Sequence, residues 1–193
     1  MRTGLVILTT ASIIAATAAL AHKGATGVVL ERMQGMTALG DVVKKLTPMM
    51  RGRTPFDADQ VRAGADVMVT HAGQQMTSLF PEGSVQPVSK VLPSVWEDWD
   101  EFVELAEQLG WRAEGLKVSA DVGLAASQAD QAASMMGGGM MGSDQAPAMG
   151  GGMSGSGDMM TVDMFATMPT DTAFAAVAQT CSACHQKFRA EED

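Results

Sequence analysis

Apolar residues recur every three or four positions in four stretches of the chain, and no stretch shows the strict alternation of a half-buried strand. The first stretch runs from about Val28 to Leu46, and Pro48 marks its end or a bend soon after it. Its apolar positions are Val29, Met33, Met36, Leu39, Val43 and Leu46. This spacing predicts an amphipathic helix.

The second predicted helix begins after Thr54-Pro55-Phe56-Asp57. Asp57 and Gln60 have the spacing of a capping box, in which the Asp carboxylate accepts an early backbone N–H. One stripe then contains Val61, Ala65, Met68, Ala72, Met76 and Leu79. Phe80-Pro81-Glu82-Gly83 ends this helix, and a connecting loop follows to Pro93.

The third predicted helix begins at Ser94, with Glu97 at the capping-box offset. We expect it to continue to about Ala133, although Gly110, Gly115 and Gly123 each weaken a helix locally. Its apolar side contains Trp96, Trp99, Phe102, Val103, Ala106, Leu109 and Leu116.

The fourth predicted helix begins near Thr170 or Asp171. One of its faces contains Phe174, Val177, Cys181, Cys184 or His185, and Phe188. Four amphipathic helices with short-to-moderate connections predict an all-α protein, an antiparallel four-helix bundle with a cofactor between facing helices.

The fourth helix contains Cys181-Ser-Ala-Cys184-His185, the C-x-x-C-H pattern of covalent haem attachment. Two thiols three positions apart can add across two vinyl groups of one porphyrin, and His185 is then placed to be the proximal iron ligand. The alternative is a plain C-x-x-C disulfide or redox pair, but such a site expects a βαβ context that the pattern does not show. We predict one covalent haem c.

The first 21 residues have the features of a secretory signal. Arg2 gives the positive start, Leu5 to Leu20 contains no charge, and Ala19-Leu20-Ala21 offers a cleavage site. A retained membrane anchor is the alternative, but the stretch is short and interrupted by threonines and Ser12. We expect cleavage near Ala21 and a periplasmic mature chain, residues 22–193, with no membrane association.

The net charge of the chain limits the kinds of macromolecule that it can bind. The formal net charge of −9 becomes −10 when Arg2 is removed with the signal. Such a chain is a poor ligand for nucleic acid or an anionic membrane surface, and it permits a basic protein partner. Solubility alone also explains the charge.

Residues 134–161 do not fit the bundle, because they contain 9 Gly and 8 Met and almost no charge. So much glycine disfavours a helix, and we predict a disordered insertion in the domain. Thioethers are soft ligands for Cu(I), so copper binding by this segment is one alternative, and a neutral low-complexity linker is the other.

Together these features resemble the class II c-type cytochromes, the family of cytochrome c′ and cytochrome c-556, over nearly the whole mature chain. The resemblance rests on Glu31 to Met36, Thr54 to Asp57, Trp96, and Cys181 to Arg189. It implies a four-helix bundle with haem bound near the C-terminus.

By this resemblance, Met36 faces the distal side of the haem. A methionine there ligates iron in c-556-type members, which are six-coordinate electron carriers. In cytochrome c′ a bulky apolar residue leaves the iron five-coordinate and able to bind nitric oxide or other small gases. We favour ligation by Met36, because the Arg32-x-x-x-Met36 spacing is more similar to the c-556 members. The family contains both homodimers and monomers.

Three further residues are candidates for the haem environment. Arg32 lies one turn before Met36 and can reach a propionate from the same face, or it is a solvated surface arginine. Arg189 belongs to the family motif and lies one turn after His185, and Trp96 is expected in the core or at the haem edge.

No nucleophile–base pair or carboxylate dyad in the sequence suggests an enzyme. We therefore expect an electron-transfer protein with a redox partner, and the gas-binding reading remains the alternative.

Overall fold

Seven helical segments make up the described part of the chain, residues 24–125 and 162–191 of this computed structural model. They are α1 (Gly27–Met50), α2 (Ala58–Thr70), α3 (Gly73–Thr77), α4 (Ser94–Glu97), α5 (Trp99–Ser119), α6 (Val162–Phe165) and α7 (Thr170–Phe188). The only β pairing within these ranges is an isolated antiparallel bridge between Val91 and Arg189. The predicted all-α class is confirmed.

The four long helices α1, α2, α5 and α7 form the predicted four-helix bundle. The central helix is α5, which packs against α2, α3, α6 and α7, whereas α1 packs against α2 and α7. The apolar stripes predicted from the sequence meet in one core, whose fully enclosed members include Leu46, Val61, Met68, Leu116 and Val177.

The second predicted helix is divided in two. Its start is as expected, because Asp57 Oδ1 accepts from the Gln60 backbone N–H at 3.0 Å and Gln60 Nε2 donates to Asp57 Oδ2 at 2.6 Å. The helix then stops at Thr70, and a new turn begins at Gly73, whose φ of 54° suits a residue without a Cβ. Ala72 and Met76 still lie in the core despite the interruption.

The third predicted helix departs from expectation at both ends. Ser94 is not an N-cap, because its hydroxyl donates to the Lys187 carbonyl on α7 at 2.8 Å. The chain is non-helical at Asp98, which separates α4 from α5. The predicted extension to about Ala133 is wrong, because α5 ends at Ser119 and Gly123 follows with φ of 80°.

The first helix extends past Pro48, which lies inside its last turn, and ends at Met50. The fourth helix begins at Thr170 as predicted, where the Thr170 hydroxyl donates to the Ser119 carbonyl at 2.6 Å. Thr170 N–H also donates to the Gly123 carbonyl at 2.8 Å, so α7 starts against the end of α5.

Two predicted segments, the signal at 1–21 and the insertion at 134–161, lie outside the described residues. Within the described ranges, no helix combines the length and the apolar character needed to cross a membrane.

Candidate haem-binding site

A cavity of about 460 Å³ lies between the first and last helices of the bundle. Its volume is in the range typical of sites for cofactor-sized ligands. The cavity is lined by Arg32, Met33, Met36 and Thr37 from α1, by Cys184, His185, Phe188 and Arg189 from the end of α7, by Val88 to Val91, and by the core residues Phe80, Val95 and Phe102. Helices far apart in sequence therefore share one largely apolar pocket.

Helix periodicity places the α1 residues on this wall. Arg32 and Met36 are four positions apart, as are Met33 and Thr37, so each pair is stacked on one face. Met33 and Met36 are both half-buried, and both residues line the cavity. The α1 wall thus offers two sulfur atoms where the sequence predicted one.

The guanidinium of Arg32 is an anchor inside this wall, and only 3 % of the residue is exposed. It donates to the Ser84 carbonyl and to the hydroxyls of Ser84 at 3.1 Å and Ser89 at 3.4 Å. Its Cζ lies 4.8 Å from the ring centroid of Phe80. The surface-arginine alternative is therefore wrong.

One polar atom of Arg32, the guanidinium Nε, is buried with no hydrogen-bond partner among the described residues. Desolvation by burial lowers the pKa of this guanidinium, although an arginine stays cationic at neutral pH. Arg32 therefore brings a buried positive charge to the cavity wall, which suits an anionic group of a ligand.

The segment that Arg32 holds is a non-helical strap (residues 84–93) across one side of the cavity. Its other end is joined to the end of α7, because Leu92 N–H donates to the Phe188 carbonyl at 3.0 Å and Ala190 N–H donates to the Lys90 carbonyl at 2.8 Å. The strap therefore connects α1 with α7. The sequence predicts only a loop here, since hydrogen bonds between distant segments leave no periodic signal.

The two cysteines of α7 are not bridged to each other in this structure, as haem attachment requires. Cys184 lines the cavity, whereas Cys181, one turn earlier, is half-buried against the core and does not line it. Burial raises the pKa of Cys181, and burial together with the neighbouring Cys181 raises the pKa of Cys184 to about 11. Both thiols are therefore protonated at neutral pH in this state.

His185 lines the cavity. The residue is exposed to solvent, yet apolar neighbours partly desolvate its ring, and this desolvation together with the positive charge of Arg189 lowers its pKa. A lowered pKa keeps the imidazole neutral at physiological pH, which is the form that binds a metal.

Trp96 does not line this cavity and packs against the core, which is one of the two positions expected for it. Its indole Nε1 donates to the Phe80 carbonyl at 3.0 Å, and Phe80 does line the cavity. Through this hydrogen bond Trp96 helps to hold Phe80 in the cavity wall.

The residues fit a haem c. The cavity is bordered by apolar rings and methionines for the flat macrocycle, by a thiol and a neutral imidazole for attachment and ligation, and by a buried guanidinium with an unpaired donor for a propionate.

Comparison with known proteins agrees with this chemistry. The family model described as Cytochrome C' matches residues 27–138. The chain belongs to the cytochrome c′ family. Members of the cytochrome c′ family bind haem c covalently, and the chain is a haem protein of this class, which serves electron transport or gas binding. The matched range ends before Cys181, so the attachment motif on α7 adds evidence independent of that match.

One curated relative is a cytochrome c-556 of Agrobacterium tumefaciens (strain II Chrys), 33% identical over 104 residues, which are 53% of this chain and 78% of the relative. Two cytochrome c′ structures share the fold. The one from Thermochromatium tepidum has a TM-score of 0.55 at 23% identity, covering 85% of this chain and 95% of its own. The one from Rhodopseudomonas palustris has a TM-score of 0.57 at 18% identity, covering 88% and 100%.

Proposed function

We propose that this chain is an exported electron-transfer cytochrome. One haem c is attached through Cys181 and Cys184, with His185 and Met36 as its two axial ligands. The observation that supports this proposal most directly is that Met36 on α1 and His185 on α7 line the same cavity. A haem with two protein ligands supplies a reversible one-electron centre whose potential is set by its ligands and burial.

Attachment uses the two thiols of α7. Cys184 is at the cavity wall, and Cys181 is one turn earlier on the same helix, so both belong to the segment that ends at the site. The neutral imidazole of His185 directly follows Cys184, and its position next to the attachment point favours it as the proximal ligand.

Met36 is the proposed distal ligand because it lines the cavity from α1, across from His185 on α7, and is only half-buried. A thioether ligand raises the reduction potential of a haem relative to an imidazole ligand, as in other His/Met cytochromes. The alignment with a relative named cytochrome c-556 supports the same choice. Met33 is the rival thioether on this wall.

Arg32 and Arg189 are the proposed partners of the propionates. Arg32 has a buried donor without a partner, and Arg189 lines the cavity at the end of α7. Charge-assisted hydrogen bonds of this kind orient a ligand more firmly than neutral ones. In this role Arg32 would join a propionate to the strap through one guanidinium.

Export to the periplasm is part of the proposal, since proteins of this family are typically periplasmic and residues 1–21 have the features of a signal. In that compartment we expect the haem to exchange electrons with a redox partner protein.

The optical spectra of the oxidised and reduced holoprotein test the axial ligands. We expect low-spin spectra in both states, with a methionine-to-iron charge-transfer band in the oxidised one. A high-spin spectrum in both states would contradict ligation by Met36 and would instead favour the five-coordinate, gas-binding alternative.

A further inference from the structure

The start of α5 presents an exposed tryptophan close to the wall of the haem cavity. Trp99 is 37 % exposed, one of four large apolar residues exposed in the described ranges. Its ring centroid lies 5.5 Å from that of Phe102, which is 2 % exposed and lines the cavity. One buried ring therefore separates the surface indole from the cofactor site.

A second aromatic contact leads to the same place. The rings of Phe80 and Phe102 are 4.7 Å apart, and Phe80 lines both the haem cavity and a surface groove of about 490 Å³. Trp96, Trp99 and Pro81 form the apolar side of this groove. The groove and the cavity are thus two sides of one aromatic wall.

The surroundings of Trp99 are strongly acidic. Glu97, Asp98, Asp100 and Glu101 flank it in sequence, all of them exposed, and Glu82 lines the groove. Lys187 is the cation of this region and forms ion pairs with Asp98, at 2.9 Å, and with Glu101. Glu97 and Asp100 form no ion pair within the described ranges, so their charge is available to attract a cation.

We propose that this Trp99 face (Trp99, Glu97, Asp100 and the adjoining groove) is the docking surface for a redox protein with a basic patch. The inference rests on the proposed electron-transfer function. Acidic residues around an exposed aromatic ring steer a cationic partner and provide an apolar contact at the centre of the interface. In the docked complex one electron passes between the haem iron and one redox centre of the partner, and no bond or proton moves.

A second copy of this chain is disfavoured as the occupant, because two acidic faces repel each other. A basic partner satisfies both the charge and the apolar ring.

The test uses two outer-sphere oxidants of opposite charge on the reduced holoprotein. Tris(phenanthroline)cobalt(III) is cationic and aromatic, and ferricyanide is anionic. At low ionic strength we expect Glu97→Gln/Asp100→Asn to slow oxidation by the cobalt complex by about tenfold, the lower end of electrostatic steering effects. Trp99→Ala should also slow it, and neither variant should slow oxidation by ferricyanide.

The matched control is Glu107→Gln/Asp163→Asn, which removes the same charge from exposed residues elsewhere on the surface. If this control slows the cobalt reaction as much as the test pair does, the effect reflects net charge and the docking face is overturned. Equal rates for the test pair and the unaltered protein overturn it too.

A binding measurement separates docking from haem chemistry. Hexaamminechromium(III) is cationic, paramagnetic and redox-inert, so in the reduced holoprotein it should broaden the Trp99 indole N–H resonance more than that of Trp111. Absence of this preference in a low-spin protein overturns the docking face alone, whereas a high-spin spectrum overturns the proposed function. A dimer that Trp99→Ala converts to monomer in sedimentation would assign the face to a second copy instead.

Discussion

Arg112 on α5 donates from Nη1 to the Thr180 hydroxyl on α7 at 2.6 Å, directly before the first cysteine of the attachment motif. The same nitrogen donates to the Ala176 carbonyl at 3.0 Å, and the guanidinium lies 5.1 Å from the Trp111 ring centroid. One side chain of the central helix is therefore bonded to α7, the helix that contains the C-x-x-C-H motif.

Replacing Arg112 by Met should destabilise the protein by about 1–3 kcal/mol, since hydrogen bonds to a charged group contribute more than neutral ones. The measurement is chemical denaturation of the holoprotein. The matched control is Arg62→Met, because Arg62 forms exposed ion pairs with Asp59 and Asp121, and such pairs contribute about 0–1 kcal/mol. An equal loss in both variants would contradict the role of Arg112 between the helices.

Gly115 on α5 admits the ring of Phe165, which is fully buried. A Cβ at residue 115 would lie 2.4 Å from Phe165 Cγ. Gly115→Ala should therefore destabilise the fold by about 1–3 kcal/mol through overpacking. Gly110→Ala is the control on the same helix, since its Cβ would meet only Ala72 Cβ at 3.6 Å, and it should be neutral or stabilising by up to about 1 kcal/mol. Thermal unfolding of both variants distinguishes them, and a destabilised Gly110→Ala would contradict the packing argument.

The N-cap of α2 should give part of the stability a pH dependence. The hydrogen bonds from the Gln60 side chain and backbone lower the pKa of Asp57 below its unfolded value. The contribution of this carboxylate is therefore present above the unfolded pKa and is lost as the pH falls through the folded pKa.

Asp57→Asn keeps a capping side chain without the charge, so its denaturation midpoint should fall less between neutral and acidic pH than that of the unaltered protein. The measurement is urea denaturation at a series of pH values. Parallel curves for the two proteins would show that Asp57 does not contribute to the acid dependence.

Deleting residues 134–161 and joining the flanks by a short linker should leave the haem spectrum intact. The segments on either side are already fixed together, because Ala125 N–H donates to Asp171 Oδ1 at 3.1 Å and Thr170 is bonded to the end of α5. Loop-closure entropy changes slowly with length, so we expect a stability change of less than about 1 kcal/mol. Loss of haem incorporation would mean that the segment belongs to the fold.

Titration of both proteins with Cu(I) tests the alternative that residues 134–161 bind copper. Equal Cu(I) binding by the full-length and the deleted protein would exclude this alternative.

Met36→Ala should convert a low-spin haem spectrum into a high-spin one and speed the binding of carbon monoxide, because no internal ligand then has to dissociate. Met33→Ala is the control from the same wall and should leave the spin state unchanged. If Met36 only packs, the substitution changes stability by less than the 2–5 kcal/mol or so typical of a fully buried methionine, with no spectral change. A spectral change for Met33→Ala alone would move the ligand to that residue.

The sequence predicted the elements that depend on local periodicity and local caps. Asp57 with Gln60 is an example, because donor and acceptor are three residues apart and the helix itself brings them together. Ser94 with Glu97 has an equivalent spacing, yet the Ser94 hydroxyl bonds to Lys187 instead. The Ser94 hydroxyl thus bonds to a residue far away in sequence and not to its own helix. No pattern within the segment predicts such a contact.

The residues of the candidate site also differ in whether the sequence could predict them. Cys184, His185 and Met36 follow from a motif and a family resemblance, and the structure places all three on one cavity. The strap and its bonds to Arg32 could not be predicted, because Ser84 and Ser89 lie about fifty residues from that arginine in sequence. Trp96 lies against the core as expected, but its hydrogen bond to the Phe80 carbonyl joins residues sixteen apart and could not be predicted from a pattern.

The cavity between α1 and α7 has a consequence for the order of events during folding. Its walls include residues of the first and the last long helix described, so a chain in which only α1, α2 and α5 have folded still lacks the cysteine and histidine side of the site. The site can therefore form only when α7 has joined α1 in the bundle, and a variant that lacks α7 would lack the attachment motif and leave the α1 wall uncovered.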